Sequence, residues 1–184
     1  MIEWMRGDAM ALLLAAGALG AAPAAHAASA AEIDAKVDIA LNSLLAENAA
    51  ARAIGEDAIA VLVFPEIIKA GFGIGGQFGE GALRKGGVTT GYYNLASASF
   101  GFQLGAQSYS QVLFFMTEEA LAGLDQVRGF ELGADATVAV ADQGLGVDVS
   151  TNTIQDPIVA FVFGQKGLMG GVTLEGSKIT KINP

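Results

Sequence analysis

The hydrophobic positions of this chain fall into three regimes. An unbroken apolar block near the N-terminus comes first, then a stretch of helical period, and last a long remainder of short apolar runs cut by glycine. The block runs from Ala9 to about Ala22 and is followed by Pro23 and the small-x-small site Ala25-His26-Ala27. That order reads as a secretory signal peptide, residues 1–27, cut before Ala28. The run is too short and too punctuated for a mature membrane span. The opening "MIEWMRGD" sets Arg6 against Glu3 and Asp8, so it lacks the usual positive excess, and Met5 is an alternative start. An uncleaved helical anchor is therefore the competing reading. No Cys follows the block, which excludes a lipid-anchored lipoprotein.

From Ser29 the period becomes that of a helix, with Ile33, Val37, Ala40, Leu41, Leu44 and Leu45 on one face. Ser29 and Glu32 have the spacing of a capping box, and Gly55 is the expected stop. The polar face carries Glu32, Asp34, Asp38 and Glu47 against Lys36 and Arg52. This favours a packing helix over a membrane-lying one, whose polar face is usually basic.

The third regime predicts strands. "AIAVLVF", Ala58 to Phe64, is a buried-strand run ended by Pro65, and "PEIIKAG" is expected to form one helical turn at most. The following "GFGIGGQFGEG" contains G-x-G-x-x-G at Gly71, Gly73 and Gly76. A phosphate-binding loop needs these glycines between a strand and the start of a helix. Here "PEIIKA" intervenes, and "QFGEGALRKGGVTTGYY" has no helical period, so a strand with small residues on one side is expected instead.

"SASFGFQLGAQ" and "SYSQVLFFM" are β-rich, and "TEEALAGLDQV" is a short helix started by Thr117. "FELGADATVAVADQG", "LGVDVS", "PIVAFVFGQKG" and "LMGGVTLEGSKITKI" read as strands. An internal echo, G-G-x-x-x-E-G, joins Gly75–Gly81 to Gly170–Gly176 and suggests two similar sheet elements. The expected class is α+β: one long N-terminal helix plus a short helix, packed on a glycine-rich, mainly antiparallel β-sheet system, in a single domain spanning 28–184.

Composition narrows the chemistry. The chain has 184 residues, no Cys, and a single His and a single Trp, His26 and Trp4, both within the expected leader. The processed chain then lacks Ser-His and Cys-His nucleophile pairs, zinc sites built on His or Cys, and haem or iron-sulfur ligation. No metal or other cofactor is expected. A formal net charge of −9 disfavours nucleic acid and gives no general attraction to anionic membranes. Glu80 and Glu175, equivalent in the echo, are the one acid-base pair to consider, and with Asp135 or Asp142 the one calcium set. Neither has a supporting loop signature, so glutamates closing turns and no enzyme activity are expected.

Four blocks in order carry a resemblance: "AVLVFPEIIKAGFGIGGQFGEGAL", "GYYNLASASFGFQLGAQSYSQVLFFM", "GADATVAVA" and "GQKGLMGGVTLEGSKI". Together they resemble the SYLF-domain family, known in its eukaryotic members as an actin-binding domain, over about Ser29 to Ile182. The most specific parts are Ser99, Gly101, Gln103, Gly105, Ala106 and Gln107, and the run from Lys166 to Gly176. The resemblance implies phospholipid binding without catalysis. Eukaryotic members bind phosphoinositides and, in some cases, actin, and exported stand-alone members have a suspected phospholipid role. This chain departs from the pattern in its net-acidic first helix, and in Tyr92 and Tyr93 where many relatives carry Trp. An exported protein would meet neither actin nor cytosolic phosphoinositides.

For a headgroup, Arg84 and Lys85, between Gly81 and Gly86-Gly87, form the best local basic tip, with Lys69, Lys166 and Lys178 as secondary cations. For acyl chains, Phe72, Ile74, Phe78, Leu83, Phe100, Phe102, Leu104, Phe161 and Phe163 could line a cleft or simply fill the core. Tyr92, Tyr93 and Tyr109 suit an apolar-polar boundary. Gln103 and Gln107 share a strand face and are expected to stitch strands.

Three readings follow. The leading one is an exported, non-enzymatic phospholipid-binding domain at an envelope membrane. A protein-interaction scaffold of the envelope, its protein partner unknown, is the second. A small outer-membrane β-barrel is the third, although "VLVF" and "VLFFM" break the alternation that a barrel wall requires.

Overall fold

Two very long strands dominate the sheet. The computed structural model describes residues 28–125, 129–132, 138–142, 156–167 and 176–184, with side-chain surroundings described for all of these except 72–73, 99–104, 138–142 and 167. In chain order come α1 (Ala30–Glu47), α2 (Ala49–Asp57), β1 (Ala60–Lys85), β2 (Val88–Phe115), α3 (Glu118–Ala122) with a 3-10 turn, β3 (Phe130–Glu131), β4 (Val138–Asp142), β5 (Ile158–Gly167) and β6 (Lys178–Ile182). β1 and β2 form an antiparallel ribbon through the Gly86–Gly87 turn. On its other edge β2 pairs with β5 near one end, Gln107 to Phe115, and with β6 near the other, Tyr92 to Ala96. β4 adds to β5 in parallel, the one parallel pairing among the described strands, and β3 adds to β6. The α+β class, with a mainly antiparallel sheet, is what the sequence predicted.

"PEIIKAG" is not a helical turn; it continues β1. The register shifts between Phe64 and Ile67, and Pro65, which has no N–H to give to the ladder, falls at that irregularity. Its carbonyl accepts from Ser110 Oγ at 2.8 Å. The G-x-G-x-x-G run also lies inside β1, paired along β2, with no helix after it.

These glycines let the ribbon curl on itself. A Cβ on Gly71 would sit 2.7 Å from Gly75 Cα, so the strand bends back within four residues. A Cβ on Gly81 would overlap the Val63 carbonyl oxygen, because residues 79–81 cross directly over 63–67 of the same strand. Only glycine permits that backbone approach. The echo partner at 170–175 lies outside the described residues.

The curl creates two cores. Inside it, Leu62, Phe64, Ile67, Leu83, Tyr93, Leu95, Tyr109, Leu113 and Phe115 pack with Ile158, Val162 and Ile179, closed by Leu124 and Phe130. On the outer face, α1 and α2 bury Ile33, Val37, Ala40, Leu44, Ala51 and Ile54 against Val63, Ala82, Val112, Phe114 and Phe161. The Phe114 and Phe161 rings meet edge-on at 5.6 Å.

The N-terminal helix begins as predicted, with Ser29 Oγ accepting from Glu32 N at 3.3 Å, but it does not run on to Gly55. Asn48 breaks it, and its Oδ1 accepts from Ala51 N at 2.8 Å to start α2. Gly55 lies inside α2, where a Cβ would stand 3.2 Å from the Phe114 ring. Thr117 caps α3 as expected, accepting from Ala120 N at 3.2 Å.

Candidate functional site

The basic pair at the ribbon tip meets helix α1 rather than solvent. Two turns of α1 carry Asp34 and Asp38 toward the tip, and Arg84 Nη2 lies 2.7 Å from Asp38 Oδ1 and 3.5 Å from Asp34 Oδ1. Asp34 also accepts from Thr89 Oγ1 at 2.7 Å and from the Tyr92 hydroxyl at 2.9 Å. The Thr89 bond, with lesser help from Tyr92 and the Arg84 charge, holds its carboxyl below the usual carboxylate range. Lys85 is half-exposed and faces Glu118 at 3.5 Å. Arg84 thus fastens α1 to the hairpin, and Lys85 alone of the pair offers substantial charge to solvent.

The other sequence candidates separate. Lys69 is buried at 7% exposure, while Lys166 and Lys178 are exposed. Tyr93 lies in the inner core with Lys181 Nζ 6.0 Å from its ring centroid, and Tyr92 is half-buried on the α1 clamp. Leu83, Phe161 and Phe163 are core. Phe78 and Ile74 stay outside, at 50% and 66% exposure. Phe72, Phe100, Phe102, Gln103 and Leu104 fall among the positions whose side chains are not described.

A groove forms where α1 crosses the outer face of the ribbon. It encloses about 440 Å³ and is lined by Lys36, Ile39, Ala40 and Ser43 of α1, Pro65 and Glu66 of β1, Ser108 to Ser110 of β2, and Phe163, Gly164 and Lys166 of β5. A smaller depression of about 130 Å³ shares Lys36, Pro65 and Glu66 with it and adds Ala28, Ile68, Phe78 and Glu80. Around the joined hollows, Ile39, Ile68 and Phe78 expose half or more of their surface, and Ile74, on the same strand as Phe78, is exposed as well. Beyond the irregularity at Pro65 the outward parity of β1 changes from odd (Val63) to even, and Ile74 and Phe78 share that outward face with Ala82. Lys36 sits at the junction, bonded to Glu32 at 2.9 Å; that bond, and the charges of Glu32, Glu66 and Glu80, raise its pKa.

Sequence reading missed Ile39, Ile68 and Lys36. Ile39 carried a usable signal: a large aliphatic residue on the polar side of an otherwise regular amphipathic pattern.

Inside the curl a polar chain crosses between the two halves of the ribbon. The Tyr109 hydroxyl donates to Gln77 Oε1 at 2.7 Å, and Gln77 Nε2 donates to Ser177 Oγ at 2.8 Å. Burial pushes the Tyr109 phenol far above its ordinary pKa. Gln107 and Gln111 line the same face of β2; the Gln107 carbonyl and both amide atoms of Gln111 are buried without a protein partner.

The acid-base pair is not assembled by anything described, since Glu175 and Asp135 lie outside the described residues. Glu80 instead accepts from the backbone N of Ala28 at 3.2 Å. No group of three potential metal ligands occurs among the described residues, and no described helix is long and apolar enough to cross a membrane.

Comparison with known proteins agrees with the sequence resemblance. Residues 96–183, from the middle of β2 through β6, match the family model described as Ysc84, Las17-binding protein actin regulator. No curated protein matches the chain.

Proposed function

From the premise that this chain is a SYLF-domain protein, carrying the Ysc84-type domain at residues 96–183, we propose that it is a non-enzymatic phospholipid-binding domain acting at an envelope membrane after export. The carrying observation is the set of exposed apolar side chains, Ile39, Ile68 and Phe78 around two adjoining hollows and Ile74 on the same strand as Phe78, together with the cations Lys36 and Lys166 in the lining of the larger hollow. A protein of this size has enough core to bury four such residues, so a cluster left in water around a hollow marks a contact surface. Apolar residues beside Lys match a phospholipid, with acyl carbons against Ile and Phe and phosphate beside ammonium. Lys166 takes the headgroup role here in place of Arg84, whose guanidinium is occupied by Asp34 and Asp38.

The actin half of the family description suits cytosolic members, and export would separate this chain from actin. Catalysis forms no part of the proposal, which rests on shape and partition.

Flotation of the exported protein with vesicles of zwitterionic and anionic phospholipid tests it. The expected result is co-flotation, reduced about tenfold or more by Ile74→Asp or Phe78→Asp, each of which sets a charge where an apolar group should enter the bilayer. Lys166→Glu should weaken flotation with anionic vesicles alone. A protein that floats with neither and carries no lipid in native mass spectrometry would be a protein-interaction scaffold instead.

A further inference from the structure

The sequence expects a cut between Ala27 and Ala28, and the structure places the nitrogen of Ala28 3.2 Å from Glu80 Oε2, part-buried and 52 positions away in the chain. We propose that cleavage at this bond creates an α-ammonium group for which Glu80 is the ready-made counter-ion, so that processing pins the start of α1 to β1 through a terminal salt bridge. The inference uses the export part of the reading above and is independent of lipid binding.

Before cleavage, Ala28 N is an amide that donates one neutral hydrogen bond. Hydrolysis of the Ala27–Ala28 bond adds water across it: the Ala27 carbonyl leaves as a carboxylate with the signal peptide, and the Ala28 nitrogen becomes an amine that is protonated at neutral pH. The donor stays in place and gains a full charge, and a charge-assisted bond is about twice as strong as a neutral one.

That charge needs an anion where it stands. Ser29 is the N-cap of α1, so the ammonium lies beside the positive end of a helix, where a cation is disfavoured. Hydrophobic neighbours in the same hollow, Ile33, Ile68 and Phe78, reduce its access to water. Glu80 answers both costs from β1. Among the described residues, the other charged groups lining the hollow are Lys36 of α1 and Glu66 of β1, and Lys36 is itself engaged by Glu32 at 2.9 Å.

The consequence reaches the groove. Ala28, Lys36 and Glu80 all line the small depression together with Ile68 and Phe78. Cleavage therefore fixes the N-terminal edge of the apolar surface at the step that removes the segment attached to it.

The test uses the full chain expressed with export, with the recovered protein identified by intact mass and N-terminal sequencing. A start at Ala28 is required, and any other start overturns the proposal. Thermal unfolding from pH 6 to pH 10 is then compared between the processed protein and processed Glu80→Gln. Pairing raises the folded pKa of the ammonium above its unfolded value, so its stabilisation is full below about pH 7.7 and is lost as pH rises through the folded pKa. Lys36 titrates above that window and stays charged across most of it. Glu80→Gln should lower Tm by roughly 2–4 °C at pH 6–7, and the gap should close toward pH 10.

Retention of the amide in full-length Ala27→Leu, which blocks the cut, should abolish this pH-dependent part. A Glu80→Gln effect that is constant with pH, or the same in the uncleaved chain, would mean that Glu80 merely accepts a backbone hydrogen bond, and would overturn the inference.

Discussion

Asp34 gathers Thr89, Tyr92 and Arg84 on one carboxylate, and each bond ties α1 to the strands beneath it. Asp34→Ala should cost about 1–2 kcal/mol in urea unfolding at pH 7, the upper end being reduced because the side chain is one-third exposed. Its folded pKa is depressed, so this stabilisation is complete above the unfolded value near 3.8 and is lost as pH falls through the lower folded value. Unfolding curves of the wild type and Asp34→Asn should therefore converge below that value. Within the core, Gln111 presents the opposite case: both amide atoms are buried without a protein partner. Gln111→Met should be neutral or stabilise by up to about 1 kcal/mol, since it removes a desolvated amide and keeps the volume. Tyr109→Phe, which breaks a made bond to Gln77, should destabilise by about 1 kcal/mol in the same assay. Little of this was legible beforehand. The adjacency of Arg84 and Lys85 shows in the sequence, whereas Asp34 stands 50 positions upstream, and only the curl of the ribbon brings the two together.

Helices were more readable than strands because their period is set by local geometry. Ile33, Val37, Ala40 and Leu44 are buried as the spacing predicts, and Ser29 and Thr117 cap where they should. The break at Asn48 was hidden because the apolar period continues through it, with Ala51 and Ile54 buried on the next helix. Asn48→Ala should cost about 1 kcal/mol, read as a lower urea midpoint, by removing the side-chain acceptor from Ala51 N. Strand lengths were misread for a different reason. Pro65 and the glycines look like punctuation, yet here they are bends and crossings within β1, tolerated because β2 follows every turn as the paired strand. Gly81→Ala tests that account. Its Cβ would overlap the Val63 carbonyl, so loss of more than about 3 kcal/mol, or failure to fold, is expected. Gly86→Ala at the open turn, where a Cβ meets nothing within 4 Å, should cost only about 1 kcal/mol from its positive φ.

At the scale of the molecule, charge and shape make opposite demands on a membrane. The chain carries a formal net charge of −9, and several of its described cations, Lys36, Arg84, Lys85 and Lys181, sit in ion pairs with its own carboxylates. An anionic surface should therefore attract it weakly. The apolar row is unaffected by that balance, because transfer of Ile and Phe carbon out of water does not depend on the sign of the surface. Each side chain that enters the bilayer contributes about 1–2 kcal/mol, against about 1 kcal/mol for a Lys beside anionic lipid. The four exposed apolar residues, Ile39, Ile68, Ile74 and Phe78, then outweigh Lys166. Vesicle binding should consequently change less than about tenfold between 50 mM and 500 mM salt, whereas a basic-patch binder would lose far more over the same range. Combining Ile74→Asp with Phe78→Asp should reduce binding at both salt concentrations alike. Binding that collapses with salt and tolerates the double substitution would place the contact on the exposed cations, Lys166 at the groove rim and Lys178, rather than on the apolar side chains.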